Sequence, residues 1–223
     1  MTRQVNPVFD VPSLFHKFYY KLSIPYIKNK KVLDIGCWSG MYESMAVAKA
    51  NHITGIDPSV NAINMAKKLV PEASFYVGRA EKLDFKDNSF DTVIFSEVIE
   101  HISKGSEERA IKEVFRVLKP GGYLLLTTPR NHLLSILLDP AYFLIGHRHY
   151  SAEFLKDLFE KNGFKIKYQA YYGGVCFLVV SNLEILFKHL LGIKFEPPEF
   201  IKKMITLELK NGFSGNVILA QKK

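Results

Sequence analysis

Apolar and polar positions alternate between two patterns along the chain. Short runs dominated by Val, Ile, Leu, Phe and Tyr occur at Lys31–Ile35, His52–Ile56, Ala73–Val77, Thr92–Phe95, Tyr123–Thr127 and Lys165–Ala170. The first five show little polar alternation, as expected of strands buried on both faces. Between them, Tyr42–Ala50, Val60–Leu69, Glu107–Leu118 and Ala152–Asn162 have the spacing of amphipathic helices. This alternation predicts a parallel sheet covered by helices. The punctuation agrees: Ser59 and Ser106 stand where N-caps are wanted, and Glu107 and Glu108 suit the positive end of a helix dipole. Pro120-Gly121-Gly122 and Gly163 are placed to stop helices.

Two regions break the pattern. Residues 1–30 are aromatic and basic and are predicted to form a helical cover. Residues 171–215 contain an apolar stretch, Phe177–Leu191, and a Pro197-Pro198 break. The last apolar run, Asn216–Ala220, has no helix closely before it, so it is expected as an antiparallel strand in or beside the sheet. The expected fold is a doubly wound, Rossmann-like α/β sheet of seven strands with the last antiparallel. It forms one domain, 1–223, divided into a cover (1–30), a core (31–170), a cap insertion (171–215) and a final strand (216–223).

The strongest local feature is Val32-Leu33-Asp34-Ile35-Gly36-Cys37-Trp38-Ser39-Gly40, a buried strand running into a glycine-bearing turn and a helix. Doubly wound sheets bind ligands at such a turn, at the carboxyl ends of the strands. The turn lacks the G-x-G-x-x-G fingerprint, and the Asp34 carboxylate would repel a phosphate, so a dinucleotide is disfavoured and a ligand with an ammonium group is favoured. The alternative is an ordinary tight turn. Asp57 closes the next strand, in Ile53-Thr54-Gly55-Ile56-Asp57-Pro58-Ser59, 21 residues after Gly36. A carboxylate there can accept two ribose hydroxyls, although a lone Asp at a strand end also serves as a helix cap.

These segments occur in order with Gly78-Arg79-Ala80-Glu81-Lys82-Leu83-Asp84-Phe85, with Phe90-Asp91-Thr92-Val93-Ile94-Phe95-Ser96-Glu97-Val98-Ile99-Glu100-His101-Ile102, and with Leu118-Lys119-Pro120-Gly121-Gly122. Over roughly residues 30 to 170 the chain thereby resembles the class I S-adenosylmethionine-dependent methyltransferases, and within them the ubiquinone-biosynthesis-like group. The resemblance implies that Asp34, Gly36 and Gly40 line the methionine end of S-adenosylmethionine. It implies that Asp57 holds the ribose, Ala80 and Glu81 border the adenine, and Ser96 and Glu97 close the floor beside the sulfonium. Two positions depart from the family pattern. Trp38 replaces a usual glycine, so its side chain must point away from the ligand, and Arg79 replaces a common acidic residue.

Glu97-x-x-Glu100-His101, followed by His147-Arg148-His149, also resembles the metal-binding pattern of small-RNA 3′-terminal 2′-O-methyltransferases. On that reading Glu97, Glu100, His101 and His149 hold Mg²⁺ or Mn²⁺. On the other, the same residues shape the pocket and His101, with Glu97, assists removal of a proton from the acceptor.

Charge and composition narrow the partners. The net charge of +8 is distributed as +4 over residues 1–50, −3 over 51–100, +3 over 101–150 and +4 over 151–223. The cofactor-bearing segment is acidic, and Arg79, Lys104, Arg130 and Arg148 are too few for a long polyanion footprint, so nucleic acid is not the expected partner. The apolar segments Asn131–Gly146 and Tyr171–Leu191 point to a small, hydrophobic or lipid-like acceptor. Lys188, His189, Lys194, Lys202 and Lys203 would then rest against anionic headgroups in a peripheral membrane contact. Cys37 and Cys176 are the only cysteines, and Met1–Asp10 has no apolar signal core, so the expected compartment is the reducing cytoplasm. The sequence-based expectation is thus O-methylation of a small molecule. The alternatives are N- or C-methylation, a metal-assisted RNA-end 2′-O-methyltransferase, and a non-catalytic partner protein of the same fold.

Overall fold

A computed structural model describes residues 13–191 and 195–223. Its elements in chain order are α1 (Leu14–Ile27), β1 (Lys31–Ile35), α2 (Met41–Ala46), β2 (His52–Asp57), α3 (Val60–Leu69), β3 (Ser74–Val77), β4 (Phe90–Ser96), α4 (Glu107–Val117), β5 (Leu118–Pro129), α5 (Leu133–Leu137), α6 (Pro140–Ile145), α7 (Ala152–Lys161), β6 (Phe164–Tyr172), α8 (Val175–Leu191), α9 (Glu199–Glu208) and β7 (Gly215–Lys222). The strands form one seven-stranded sheet in the order β3-β2-β1-β4-β5-β7-β6. All neighbouring pairs are parallel except those of β7, which runs antiparallel between β5 and β6. The chain reverses winding between β1 and β4, so the carboxyl ends of these two strands flank the crevice where such sheets take ligands.

Alternate residues of the central strands feed two cores. Leu33, Ile35, Phe95, Leu124 and Leu126 pack beneath α4 and α7 with Ile111, Val114 and Phe159. Val32, Ile94 and Leu125 pack on the other face with Tyr19 and Ile27 of α1, Tyr42 of α2 and Ile205 of α9. Of the expected 1–30 cover, α1 lies on this face of the sheet, and residues 1–12 lie outside the described part. The segment 83–87 between β3 and β4 is pinned by Arg116 of α4. Its guanidinium donates to the carbonyls of Leu83 (2.8 Å) and Phe85 (2.7 Å) and to Asp87 (2.8 Å), while Glu113 holds it from below. A lysine cannot make this fork. Arg116→Lys is expected to lower stability by about 1–3 kcal/mol, measured by urea unfolding, because backbone carbonyls lose their donors.

Several elements differ from the sequence expectation. The helix predicted over Tyr42–Ala50 ends at Ala46, where the chain turns so that Lys49 can accept from the Asn29 N–H at 2.9 Å. Ser59 caps α3 through its hydroxyl, but the Ser106 hydroxyl donates back to the Ser103 carbonyl and leaves α4 without a side-chain cap. The apolar segment Asn131–Gly146 holds two short helices, α5 and α6. No helix among the described residues is long and apolar enough to cross a membrane.

Candidate functional site

The β1–α2 turn is built from three left-handed residues, Gly36 (φ 82°), Trp38 (φ 46°) and Gly40 (φ 84°). Gly36 donates its N–H to the Ile56 carbonyl at 2.7 Å, which ties the turn to β2. A Cβ on Gly36 would stand 2.2 Å from Val98 Cγ2, and one on Gly40 would press on Ala66 at 3.1 Å. These glycines therefore serve backbone shape and close packing as well as any ligand. Trp38 adopts a left-handed conformation natural to glycine, and the residue is 59% exposed. Its N–H donates to Asp57 Oδ2 (3.2 Å), and the Ser59 N–H donates to Oδ1 (2.8 Å). Two backbone donors thus orient the buried Asp57 carboxylate, and each oxygen keeps a lone pair for a ribose hydroxyl.

Asp34 lies at the end of β1 between Gly55 and Ile94 in the sheet register and is buried. The carboxyl of Glu43, on α2, reaches it across the turn and is itself fully buried. Burial pushes Asp34 up to about 8, partly offset by the hydrogen bond from Glu43, and it raises Glu43 well above the carboxylate range.

The remaining sequence candidates sit along the same edge. Ala80 is buried beyond β3, and Glu81 accepts from the Ser103 N–H at 3.5 Å with Arg79 at 3.9 Å. The Arg79 side chain is largely exposed. Ser96 closes β4, its hydroxyl sharing a hydrogen bond with Thr127 at 2.6 Å. Glu97 follows in a left-handed conformation (φ 54°), and its Oε1 accepts from the Tyr172 hydroxyl at 2.7 Å. Burial raises Glu97, and the Tyr172 and Thr127 hydrogen bonds oppose that rise.

The expected metal set, Glu97, Glu100, His101 and His149, is not what the described residues bring together. The groups whose ligand atoms converge are Glu100, His101 and His147, and next to them Asp139, His147 and His149. His149 faces acceptors with both ring nitrogens, Asp139 Oδ2 at 2.8 Å and the Arg130 carbonyl at 3.1 Å, so neither nitrogen is free for a metal. Glu97 is committed to Tyr172. Asp139 Oδ2 also holds His147 Nδ1 at 2.6 Å, leaving His147 Nε2 directed at Glu100 Oε1, 3.9 Å away. Burial opposes the Asp139 charge, yet the hydrogen bonds from both histidines hold it well below the ordinary range. His101 stacks on His147 with ring centroids 4.7 Å apart, and burial, with the charges of His147 and Arg148, lowers it to about 4.

Of the four cations expected on this edge, Arg148 is drawn inward, donating to the Ile99 carbonyl at 2.6 Å. Arg130 lies over the Tyr171 ring at 3.6 Å. Glu43, Asp139 and Tyr172 were not among the residues the sequence singled out. Glu43 carried a signal, a carboxylate among the inward positions Met41, Tyr42 and Ala46, and Asp139 carried one as the residue before Pro140 at a helix start.

A family model described as a methyltransferase domain matches residues 33–126. A ubiquinone/menaquinone biosynthesis C-methyltransferase of Geotalea daltonii is 30% identical over 176 residues, covering 73% of this chain and 68% of that protein. A phthiotriol/phenolphthiotriol dimycocerosates methyltransferase of Mycobacterium ulcerans is 32% identical over 170 residues, covering 70% of this chain and 60% of the relative. The chain spans about half the length of the first curated relatives it matches, 58% and 46% of two of them. Among solved structures, that of the [4+2]-cyclase SpnF superposes with a TM-score of 0.68 at 24% identity, covering 92% of this chain and 80% of that one. This last likeness speaks to the fold and not to the reaction. The ordered glycine turn, the oriented Asp57 and a methyltransferase relative matched over two thirds of its length agree: this chain belongs to the class I S-adenosylmethionine-dependent methyltransferases.

Proposed function

We propose that the protein methylates a hydroxyl oxygen on a small, hydrophobic or lipid-like molecule. The observation that carries this reading is the apolar surface of α5 and α6, where Leu133, Leu137, Phe143 and Leu144 are all exposed. That surface is joined to the site, because Asp139, between the two helices, binds His147, which stacks on His101. Asn182 of α8 donates to the Leu138 carbonyl at 2.6 Å and fixes a third apolar helix beside them. Exposed apolar surface next to a polar cluster is what an acceptor with a greasy tail and a reactive hydroxyl requires. The relative named for phthiotriol and phenolphthiotriol dimycocerosates is consistent with this reading.

The described residues fit S-adenosylmethionine: Asp34 offers a carboxyl for an ammonium, and Asp57 offers two oriented acceptors for ribose hydroxyls. When bound, the cofactor supplies a methyl group on a sulfonium, which leaves as a neutral thioether once the acceptor oxygen takes the methyl. The chain's part is to hold the hydroxyl in line and to receive its proton. His101 is positioned for the proton, since its ring makes no hydrogen bond to the described residues, while Glu97 is held by Tyr172 as the polar floor.

Turnover on paired hydroxylated aromatic acceptors, with and without an alkyl tail, tests the proposal. The tailed acceptor is expected to have the lower KM, and equal values would contradict it. Phe143→Ser with Leu144→Ser should raise that KM by roughly tenfold or more while leaving S-adenosylhomocysteine affinity unchanged, given about 1.5–3 kcal/mol for each apolar side chain buried. We place the protein in the cytoplasm with a peripheral membrane contact through the same helices. Lys203 is exposed and Lys202 pairs with Glu199 at 2.7 Å, whereas the side chains of Lys188, His189 and Lys194 lie outside the described part. Co-sedimentation with anionic liposomes at low salt supports the contact, and background levels remove it.

One observation favours a second reading of the same cluster. Glu100 Oε1 is buried without a hydrogen-bond partner among the described residues and faces His147 Nε2, with His101 in the same group. A divalent ion would fit between them, and the mixed N/O donor set suits Mn²⁺ better than Mg²⁺. Asp139 on the far nitrogen of His147 would orient that ligand. Stoichiometric metal in the purified protein, with turnover lost to EDTA, is the result this reading expects. Turnover indifferent to EDTA eliminates it and leaves the methyl-transfer proposal standing.

A further inference from the structure

Glu43 has no role in the reading above, yet it sits against the cofactor turn. It is fully buried, and neither of its carboxyl oxygens has a conventional donor among the described residues. The group in reach is the Asp34 carboxyl, and two carboxyls form a hydrogen bond only when one of them carries a proton. Space for Glu43 is made by Gly55, the β2 residue in register with Asp34: a Cβ there would stand 2.5 Å from Glu43 Oε1. The groups bearing on the pair are Asp57 on β2, Cys37 in the turn, Tyr42 on α2 and Tyr19 on α1, all acidic or neutral. On β4 the residue beside Asp34 is Ile94. Among the described residues nothing in this arrangement neutralises two buried carboxylates except protons or an incoming cation.

We infer that Glu43 is a positioning residue for the cofactor. It stays protonated and donates its O–H to Asp34, and the cofactor's ammonium displaces the proton that Asp34 carries in the free protein. The inference rests on S-adenosylmethionine occupying the β1 turn. Binding then proceeds with one proton passing to solvent: the Asp34 O–H bond breaks, and the resulting carboxylate accepts from the ammonium while the Glu43 O–H bond is kept.

The sign follows from linkage. Asp34 is protonated below its raised pKa of about 8, so affinity for an ammonium-bearing ligand rises with pH up to that value. Calorimetric titration of the full chain with S-adenosylhomocysteine should show the dissociation constant falling toward tenfold per unit between about pH 5.5 and 7.5. Buffers of different ionisation enthalpy should report release of close to one proton. Methylthioadenosine, which lacks the amino-acid arm, should bind with no such dependence. Glu43→Gln, whose amide can still donate to Asp34, should keep affinity and slope near wild type. Glu43→Leu should weaken the homocysteine ligand about tenfold or more and move its pH dependence upward, as the donor to Asp34 is lost. Circular dichroism and methylthioadenosine affinity confirm that the variant folds. Tight binding with a flat pH profile and no proton release overturns this inference alone, and so does a Leu variant equal to wild type. Failure of the wild type to bind either ligand at any pH overturns the cofactor site itself.

Discussion

Replacing Asp57 by Asn is expected to weaken S-adenosylhomocysteine binding by about a hundredfold to a thousandfold, roughly 3–4 kcal/mol. The reason lies in how its carboxylate is used. The Trp38 and Ser59 N–H groups each donate to one oxygen, leaving both oxygens as acceptors toward the crevice. An amide converts one oxygen into a donor, which opposes a backbone N–H whichever way the group turns, and the charge that strengthens the remaining bonds is gone. Calorimetry on the variant reads the affinity, and urea unfolding separates a binding loss from a folding one. A dissociation constant within about threefold of wild type would remove Asp57 from the ribose site.

Gly36→Ala is expected to cost roughly 2–5 kcal/mol of stability, combining about 1–2 kcal/mol for a left-handed non-glycine residue with about 1–3 kcal/mol of overpacking. Here Gly36 has φ 82°, and an added Cβ meets Val98 Cγ2 at 2.2 Å. The two contributions can be separated, because Gly36→Ala combined with Val98→Ala relieves the clash and leaves the backbone cost. Chemical denaturation of the double variant should recover part of the loss, and full recovery would show that conformation at this turn matters little.

The parallel core was readable from sequence because strands buried on both faces must be largely apolar, as Val93–Phe95 is and as Val32–Ile35 is apart from Asp34. The antiparallel direction of β7 was legible because Asn216–Ala220 lacks the crossover that a parallel strand needs, while its place between β5 and β6 was not. Helices α5 and α6 were not, since Leu133, Leu137, Phe143 and Leu144 face outward and give no stripe distinguishable from a buried run. The same division runs through the site. Asp34, Gly36, Gly40 and Asp57 could be nominated as candidates because they lie at strand ends and turns whose geometry neighbouring residues fix. Tyr172 meets Glu97 from 75 residues away, and Asp139 claims His149 by a contact that no spacing encodes. The set drawn from Glu97, Glu100, His101 and His149 differs from the group whose ligand atoms converge, Glu100, His101 and His147, for this reason: spacing shows which residues stand close in the chain, and not which partners already occupy their ligand atoms.

The most direct test of the account is to incubate the protein with S-adenosylmethionine and a hydroxylated aromatic acceptor bearing an alkyl tail, and to follow S-adenosylhomocysteine and the acceptor's mass together. The account predicts equimolar S-adenosylhomocysteine and methyl ether, with the rate falling by roughly 10²–10⁴ in His101→Ala while S-adenosylhomocysteine affinity is unchanged. Methylation found on carbon or nitrogen, or a rate indifferent to both the tail and His101, would contradict it.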